Sequence, residues 1–427
     1  MILIKNGLVV DPSQGLEAVR DILIEGETIA AVGENLTADG AEVIDAAGKI
    51  VMPGLVDMHV HLREPGQEYK EDILSGTRAA AHGGVTSVAS MPNTHPPVDN
   101  EAIVEMISRK AKAYGYADVY PTACITKGQQ GEELTEMGLL HQSGAIAFTD
   151  DGRSVMDPGV MRRALDYSKI FDGLLISHCE EENLRGSGVR NEGLVSTELG
   201  LKGIPNAVED LMIVRDLMLA ELTGARVHIA HLSTASGVQM VRAAKAKGVR
   251  VTAETTPHHL FLTDEEVRGY DTNTKVNPPL RTEADNQALI AALRDGTVDC
   301  IVTDHAPHAI EDKECEYDYA ANGISGIETS LPLVWTNLYK TGQLSLSDIV
   351  RLMSLNPAEL LRIDKGTLQA GKMADILIID PTVEKEVKAE EFCSKGKNSP
   401  FIGMRLSGWA DTVLKAGRIV VEKGEVQ

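Results

Sequence analysis

No apolar run in the 427-residue chain approaches the roughly 20 residues that a bilayer-spanning helix needs. The opening MILIKNGLVVD goes straight into alternating residues and lacks the apolar stretch and small-residue cleavage site of a signal peptide. Paired cysteines are absent as well. The five cysteines, Cys124, Cys179, Cys300, Cys315 and Cys393, are odd in number, scattered and never in a CxxC pair, which fits a reduced compartment better than a disulfide framework. Basic charge is scarce: 41 Lys and Arg stand against 63 Asp and Glu, a formal net charge of −22, with no basic block. Nucleic acid and anionic membrane are therefore poor partners, and a cytoplasmic protein is expected. An acidic protein that handles an acidic small molecule must concentrate positive charge locally, through a metal ion or a placed arginine.

What is present is a change of grammar along the chain. Ile2–Val10, Asp21–Glu25 and Thr28–Val32 read as short strands, with a hairpin turn at Glu25-Gly26, and Ala374–Asp380 and Thr412–Val421 are β-rich in the same way. The two ends are expected to pair into one small β-sandwich domain, residues 1–52 plus 365–427. Between 53 and 364, strand-length apolar runs alternate with helical periodicity, as in Ile73–Ala81 and Leu211–Leu222. That alternation implies a parallel sheet and an α/β fold. The candidate strands are Leu55–Val60, Val85–Met91, Val119–Ile125, Ala145–Phe148, Leu174–Ser177, Arg226–Ala230, Arg250–Ala253 and Cys300–Thr303, which predicts a closed (β/α)8 TIM-like barrel.

Polar residues interrupt these runs at their ends. His59 and His61 close the first, Asp151 follows the fourth, His178 ends the fifth, His231 the sixth and Asp304 the eighth. The C-terminal ends of barrel strands converge on one face, so these six residues are expected to meet there. Strand alternation points His59 and His61 the same way, with Val60 outward. An HxH pair alone suits a structural role as well as a metal. Four histidines and two carboxylates at one face are too many polar groups to bury without a shared cation. Nitrogen and oxygen donors without cysteine suit Zn²⁺, with Mn²⁺, Co²⁺ and Fe²⁺ as alternatives. Six ligands exceed one tetrahedral ion, so two divalent metal ions sharing Asp151 are expected, about 3.5–4 Å apart and able to hold a bridging hydroxide at neutral pH. Asp150 competes with Asp151 for the bridging place, because a shift of one residue exchanges inward for outward.

Two longer stretches carry a resemblance. Asp57-Met58-His59-Val60-His61-Leu62-Arg63-Glu64-Pro65-Gly66 and Thr303-Asp304-His305-Ala306-Pro307-His308, followed by Lys313, resemble the two signatures of the dihydroorotase family within the amidohydrolase superfamily, in its type I bacterial subgroup. The resemblance extends over essentially the whole chain. It implies that His59, His61 and Asp304 ligate one metal, that His178 and His231 ligate the other, and that Asp151 bridges them. It further implies that Arg63, Asn93, Asn277 and His308 bind substrate, with backbone groups near Asn322-Gly323 completing the pocket. Many relatives use a carbamylated lysine as the bridge. Residues Gly144–Gly152 contain no lysine, which fits the type I pattern of an aspartate in that place. The implied reaction is the reversible interconversion of N-carbamoyl-L-aspartate and dihydroorotate in pyrimidine biosynthesis, with Asp304 as general base and then as acid to the departing ring nitrogen. Arg63 lies on the same side as His61 if the strand continues, where it can pair bidentately with the substrate carboxylate. A homodimer is expected, together with association with aspartate transcarbamoylase as in some relatives.

His82, His95, His141 and His228 have no partner pattern and read as surface or satisfied core residues. His258-His259 stays open between support of the site and core, and His305 is placed to hydrogen-bond beside Asp304 without ligating. Cys179 and Cys300 read as small hydrophobes. Residues 309–326, long and acidic, are either a solvated loop or a lid. Two rival functions are another cyclic-amide hydrolase, of allantoinase or dihydropyrimidinase type, and a non-catalytic scaffold. The complete ligand set speaks against the scaffold.

Overall fold

The computed structural model describes residues 1–427, and in it the two ends of the chain do pair. Ile2–Asp11, Leu16–Glu25 and Thr28–Gly33 form an antiparallel meander, and Glu42–Asp45 and Ile50–Pro53 add to the first strand in parallel. Ile376–Ile379 then pairs antiparallel with Ile50–Pro53, and Ala410–Lys415, Arg418–Glu422 and Glu425–Val426 follow it. The result is one continuous nine-stranded sheet in place of two separately bonded sheets of the expected sandwich. The ladder between Ile50–Pro53 and Ile376–Ile379 is the reason, since it joins the N-terminal strands to the C-terminal ones without a break. Ile4, Ile22, Ile24, Val51, Ile376 and Ile378 gather into an apolar cluster on this sheet. The run 412–421 is a hairpin. It turns at Ala416-Gly417, whose φ values of 49° and 71° match the twist of a tight two-residue turn.

The middle of the chain alternates strand and helix with parallel pairing. Leu55–Val60, Val85–Ser90 and Asp118–Pro121 make one parallel sheet, and Leu174–Ser177, Arg226–Ile229, Val251–Thr255 and Cys300–Ile301 make another. Single bridges link the two, Ala123 to Phe148 and Phe148 to Leu175 on one side and Val60 to His305 on the other. The expected fourth strand over 145–148 is therefore not a ladder. Pro121 has no N–H to give, and the segment is held by isolated bonds such as Ile146 N to Pro121 O at 2.9 Å and Phe148 N to Leu174 O at 3.0 Å. Continuous hydrogen bonding does not run round the whole ring. Helices pack outside, including Ile73–His82, whose Asp72 cap accepts from Ser75 N, and Ala207–Thr223. Val56, Met58, Ala89, Ile176 and Cys300 from both sheets meet Ala358 and Leu361 of the helix Asn356–Leu361 in one apolar cluster. No helix is long and apolar enough to cross a membrane.

Two junctions tie the terminal sheet to the middle of the chain. One is ionic: Lys365 lies 2.6 Å from Asp375 and 2.8 Å from Asp118, and Lys415 lies 3.3 Å and 3.0 Å from the same two carboxylates. The other is a departure from the sheet. Between Glu384–Glu386 and Arg405–Ser407, which pair with each other, Val387, Phe392 and Phe401 pack on Leu262, Val276 and Ile324. Asn398 in this segment donates to the carbonyls of Ala306 and Gly323 and accepts from His308 N. Residues 387–406 thus buttress the loops at the strand ends.

Candidate metal centre

All six expected ligands are buried and lie together. Five of them form two groups that share a residue, His59, His61 and Asp151 in one, Asp151, His178 and His231 in the other, and Asp304 stands beside the first. Asp151 Oδ1 is 3.4 Å from His59 Nε2 and 3.8 Å from both His178 Nδ1 and His231 Nε2, while its Oδ2 is 3.5 Å from His61 Nε2. Asp304 Oδ1 stands 3.0 Å from His61 Nε2 and 3.5 Å from His59 Nε2. His178 Nδ1 and His231 Nε2 face each other at 2.8 Å.

The backbone is turned to achieve this. Arg63, His231 and Asp304 have φ of 60°, 33° and 45°, a left-handed region that costs non-glycine residues on the order of 1 kcal/mol or more each unless packing holds them there. For Arg63 the turn replaces strand alternation. The strand stops at Val60, and the guanidinium is aimed by this left-handed residue and by a bond from Nε to the Pro307 carbonyl at 3.2 Å.

Each ring of the first group is oriented through its second nitrogen. His59 Nδ1 donates to Glu254 Oε1 at 2.5 Å, and His61 Nδ1 donates to Asn93 Oδ1 at 2.9 Å. In neutral rings both Nε2 atoms then turn lone pairs toward the oxygens of Asp151 and Asp304, an arrangement that calls for a metal cation or a proton between them. His59 Nε2 and His231 Nδ1 are buried and have no hydrogen-bond partner. Imidazole lone pairs and carboxylates converging in this way fit divalent cations, and hydrogen bonding alone does not satisfy them. Asn93 also reaches Asp151, with Nδ2 3.2 Å from Oδ2. His178 Nε2 lies 3.5 Å from Glu180 Oε2, and Asn277 Nδ2 is 3.2 Å from the same oxygen.

A cavity of about 130 Å³ opens onto the two groups, bordered by Arg63, Asn93, Asn277, Asn322 and Gly323 as well as by His61, Asp151, His178, His231 and Asp304. Gly323, at φ 140°, has no room for a side chain, since a Cβ would lie 2.6 Å from Ala306 Cβ and 2.7 Å from its carbonyl oxygen. His308 is the one expected substrate-binding residue that does not border this cavity. Its Nε2 donates to Asn322 O at 2.8 Å and its Nδ1 accepts from Lys70 at 3.3 Å, so it stands as a neutral ring behind Arg63. Burial, then the charges of Arg63 and Lys70, push its pKa down to about 2. In the segment 309–326, Lys313 is buried and donates to the carbonyls of Ala321 at 2.7 Å and Thr272 at 3.0 Å, while Ile310 and Tyr319 are exposed. Burial, then the neighbouring Lys275, push the Lys313 pKa down to about 7.

A family model described as Dihydro-orotase-like matches residues 48–236, and one described as Amidohydrolase family matches residues 209–421. Dihydroorotases of Geobacter sp. (strain M21) and Pelotomaculum thermopropionicum are 53% and 54% identical to the chain, over 99% of it and over 100% and 98% of their own lengths. The chain belongs to the dihydroorotase family. Among solved structures, the L-hydantoinase (dihydropyrimidinase) of Arthrobacter aurescens matches with a TM-score of 0.90 at 29% identity, covering 100% of this chain and 97% of that one. A D-hydantoinase (dihydropyrimidinase) from Thermus sp. gives 0.88 at 28% identity, covering 100% and 96%.

Three residues at the centre of this dihydroorotase-family chain escape a reading based on strand ends. Glu254 orients the His59 ring, Glu180 lies 3.5 Å from His178 Nε2, and His228, read above as a satisfied core residue, donates to Glu254 Oε2 at 3.1 Å. The available signal was a carboxylate inside an apolar strand, Val251–Thr255, which runs two residues past its expected end at Ala253. Of the other histidines, His259 is satisfied by Thr256 Oγ1 and the Pro278 carbonyl. His258 is buried with Nε2 unpartnered, and burial lowers its pKa to about 4. His305 accepts from Gly326 N and turns Nε2 toward Glu71 at 3.5 Å. Burial raises the thiols of Cys179 and Cys300 well above their ordinary pKa, in line with their reading as hydrophobes.

Proposed function

We propose that the chain catalyses the reversible cyclisation of N-carbamoyl-L-aspartate to (S)-dihydroorotate with loss of water, a ring-closing step of pyrimidine biosynthesis. The observation that carries this is Arg63. Its guanidinium is buried and borders the same cavity as the two ligand groups; its hydrogen-bond acceptor is the Pro307 carbonyl, and the neutral His308 ring lies beside it. A buried cation without a carboxylate partner suits a substrate that brings its own carboxylate. A neutral hydantoin or allantoin has no such need.

His59, His61 and Asp304 would hold one divalent cation, His178 and His231 a second, and Asp151 would stand between them; zinc fits these donors best. When bound, such a pair supplies Lewis acidity toward water and toward the amide carbonyl. The remaining chemistry belongs to the chain. In the hydrolytic direction Asp304 accepts a proton of the attacking water and passes it to the ring nitrogen as the C–N bond breaks; in cyclisation it takes the amide proton and gives it to the leaving hydroxide, which departs as water. Arg63 fixes the substrate carboxylate, the side-chain amides of Asn93 and Asn277 and the backbone of Asn322-Gly323 offer hydrogen bonds beside it, and His308 supports Arg63 from behind.

The same proposal takes residues 53–364 as a (β/α)8 barrel, supported by the parallel strand order and the single bridges at either seam, with 1–52 and 365–427 as its accessory domain. It extends through family resemblance to a cytoplasmic homodimer and to docking with aspartate transcarbamoylase. The decisive experiment measures metal content and dihydroorotate ring opening on one purified sample, with hydantoin and allantoin as competing substrates. Turnover of either neutral ring, with none of dihydroorotate, overturns the assignment.

A further inference from the structure

We propose that Glu254 is a positioning residue that couples the two ligand groups, orienting the ring of His59 in one and the backbone of His231 in the other. This rests on the metal-binding function proposed above. Glu254 is fully buried in Val251–Thr255. Its Oε1 accepts from His59 Nδ1 at 2.5 Å and from His231 N at 3.2 Å, and its Oε2 accepts from His228 Nε2 at 3.1 Å. His228 Nδ1 in turn accepts from the Thr252 hydroxyl at 2.8 Å. Every proton in this relay points toward the carboxylate, so the tautomers of both rings are set.

The two consequences differ in kind. At His59 the proton is confined to Nδ1, which leaves Nε2 as a lone pair with no protein donor, 3.4 Å from Asp151 and 3.5 Å from Asp304. At His231 the bond holds a left-handed residue, φ 33°, whose Nε2 then meets His178 Nδ1 at 2.8 Å. One oxygen atom thus sets a ring in the first group and a main chain in the second. Cys300 also lies within ligand distance of His228 and Glu254. A third cation there has no free donors to use, because the oxygens of Glu254 and the nitrogens of His228 are already bonded and Cys300 Sγ contacts Met58 Sδ at 3.6 Å.

The test is Glu254→Gln in the full chain, stripped of metal and titrated with Zn²⁺ against a chromophoric chelator, then with Co²⁺ for its visible spectrum. Glutamine keeps the size and one acceptor, but its NH₂ puts a donor in place of the other acceptor. The wild type should take up two ions, and the variant should bind both more weakly, by about 10–100-fold as outer partners of metal-bound histidines commonly do. Its Co²⁺ spectrum should change, while the metal-free form still unfolds in one cooperative transition with its thermal midpoint lowered only as far as a disturbed buried hydrogen bond requires. Unchanged affinities and spectrum overturn the inference, and so does weakening confined to one ion. If Glu254→Gln does not fold, Thr252→Val at the outer end of the relay replaces it: weaker binding of both ions supports the coupling and unchanged binding overturns it. A wild type that binds no ion overturns the metal function itself and this inference with it.

Discussion

Asp150 and Asp151 are adjacent in the chain and stand back to back. Asp151 faces four imidazoles, whereas Asp150 accepts from the N–H groups of Ile125 at 2.8 Å and Thr126 at 3.1 Å and from the Thr126 hydroxyl. Asp151→Asn should therefore lower metal content and cut turnover by orders of magnitude with little change in the unfolding midpoint of the metal-free protein. Asp150→Asn should keep its metal and lose about 1–2 kcal/mol of stability, the usual cost of disturbing buried hydrogen bonds. Metal analysis and urea unfolding on both variants separate the two. Equal metal loss in both would remove the distinction.

Arg63 should govern substrate affinity more than chemistry. Arg63→Met keeps the bulk of the side chain and removes the carboxylate partner. The Michaelis constant for dihydroorotate should rise by one to two orders of magnitude, the range expected for losing about 1.5–3 kcal/mol of a charge-assisted pair, with metal content unchanged. Steady-state kinetics in both directions check this. An unchanged constant would make Arg63 a structural residue.

His308 makes stability depend on pH. Its folded pKa, about 2, lies below the ordinary 6.5. Between those values the unfolded chain binds a proton that the folded one refuses, so stability is fully present above about pH 6.5 and falls as the pH drops below it. His308→Gln should flatten this fall between about pH 6.5 and 4.5. Urea midpoints of both proteins across that window measure it; parallel curves would assign the acid sensitivity to other groups.

The ionic junction should be costly to break from one side. Lys365→Met leaves Asp375, whose Oδ2 receives the lysine at 2.6 Å, buried with reduced compensation. Loss of one partner from a buried pair costs about 3–5 kcal/mol, and the lower end applies here because Lys415 remains within 3.3 Å. Denaturant unfolding should show this drop. A change under about 1 kcal/mol would mean that Lys415 suffices alone.

The candidate ligands were legible because a histidine or aspartate at the end of an apolar run is conspicuous, and His59 with His61 obey simple alternation. Arg63 reaches the cavity by a left-handed turn, a conformation that no spacing rule encodes for a non-glycine residue. Glu254 was hidden because the apolar pattern of its strand ends at Ala253, one residue before it. Asp150 and Asp151 differ only in which of two neighbouring loops they face, and that is decided by Ile125 and Thr126, far away in sequence. In the fold, local patterns located most central strands, while the bridges at Phe148 and the continuity of the terminal sheet depend on pairing between distant segments.

Asn398 fastens Gly323 through a bond spanning 75 residues. On a ribosome the chain acquires every cavity-lining residue by Gly323, yet the segment that secures that wall is translated afterwards. The order of synthesis and the order of assembly therefore differ. A nascent chain carries every candidate ligand for some time before the pocket can close around them, and a segment that emerges after all the cavity-lining residues fastens the last of them.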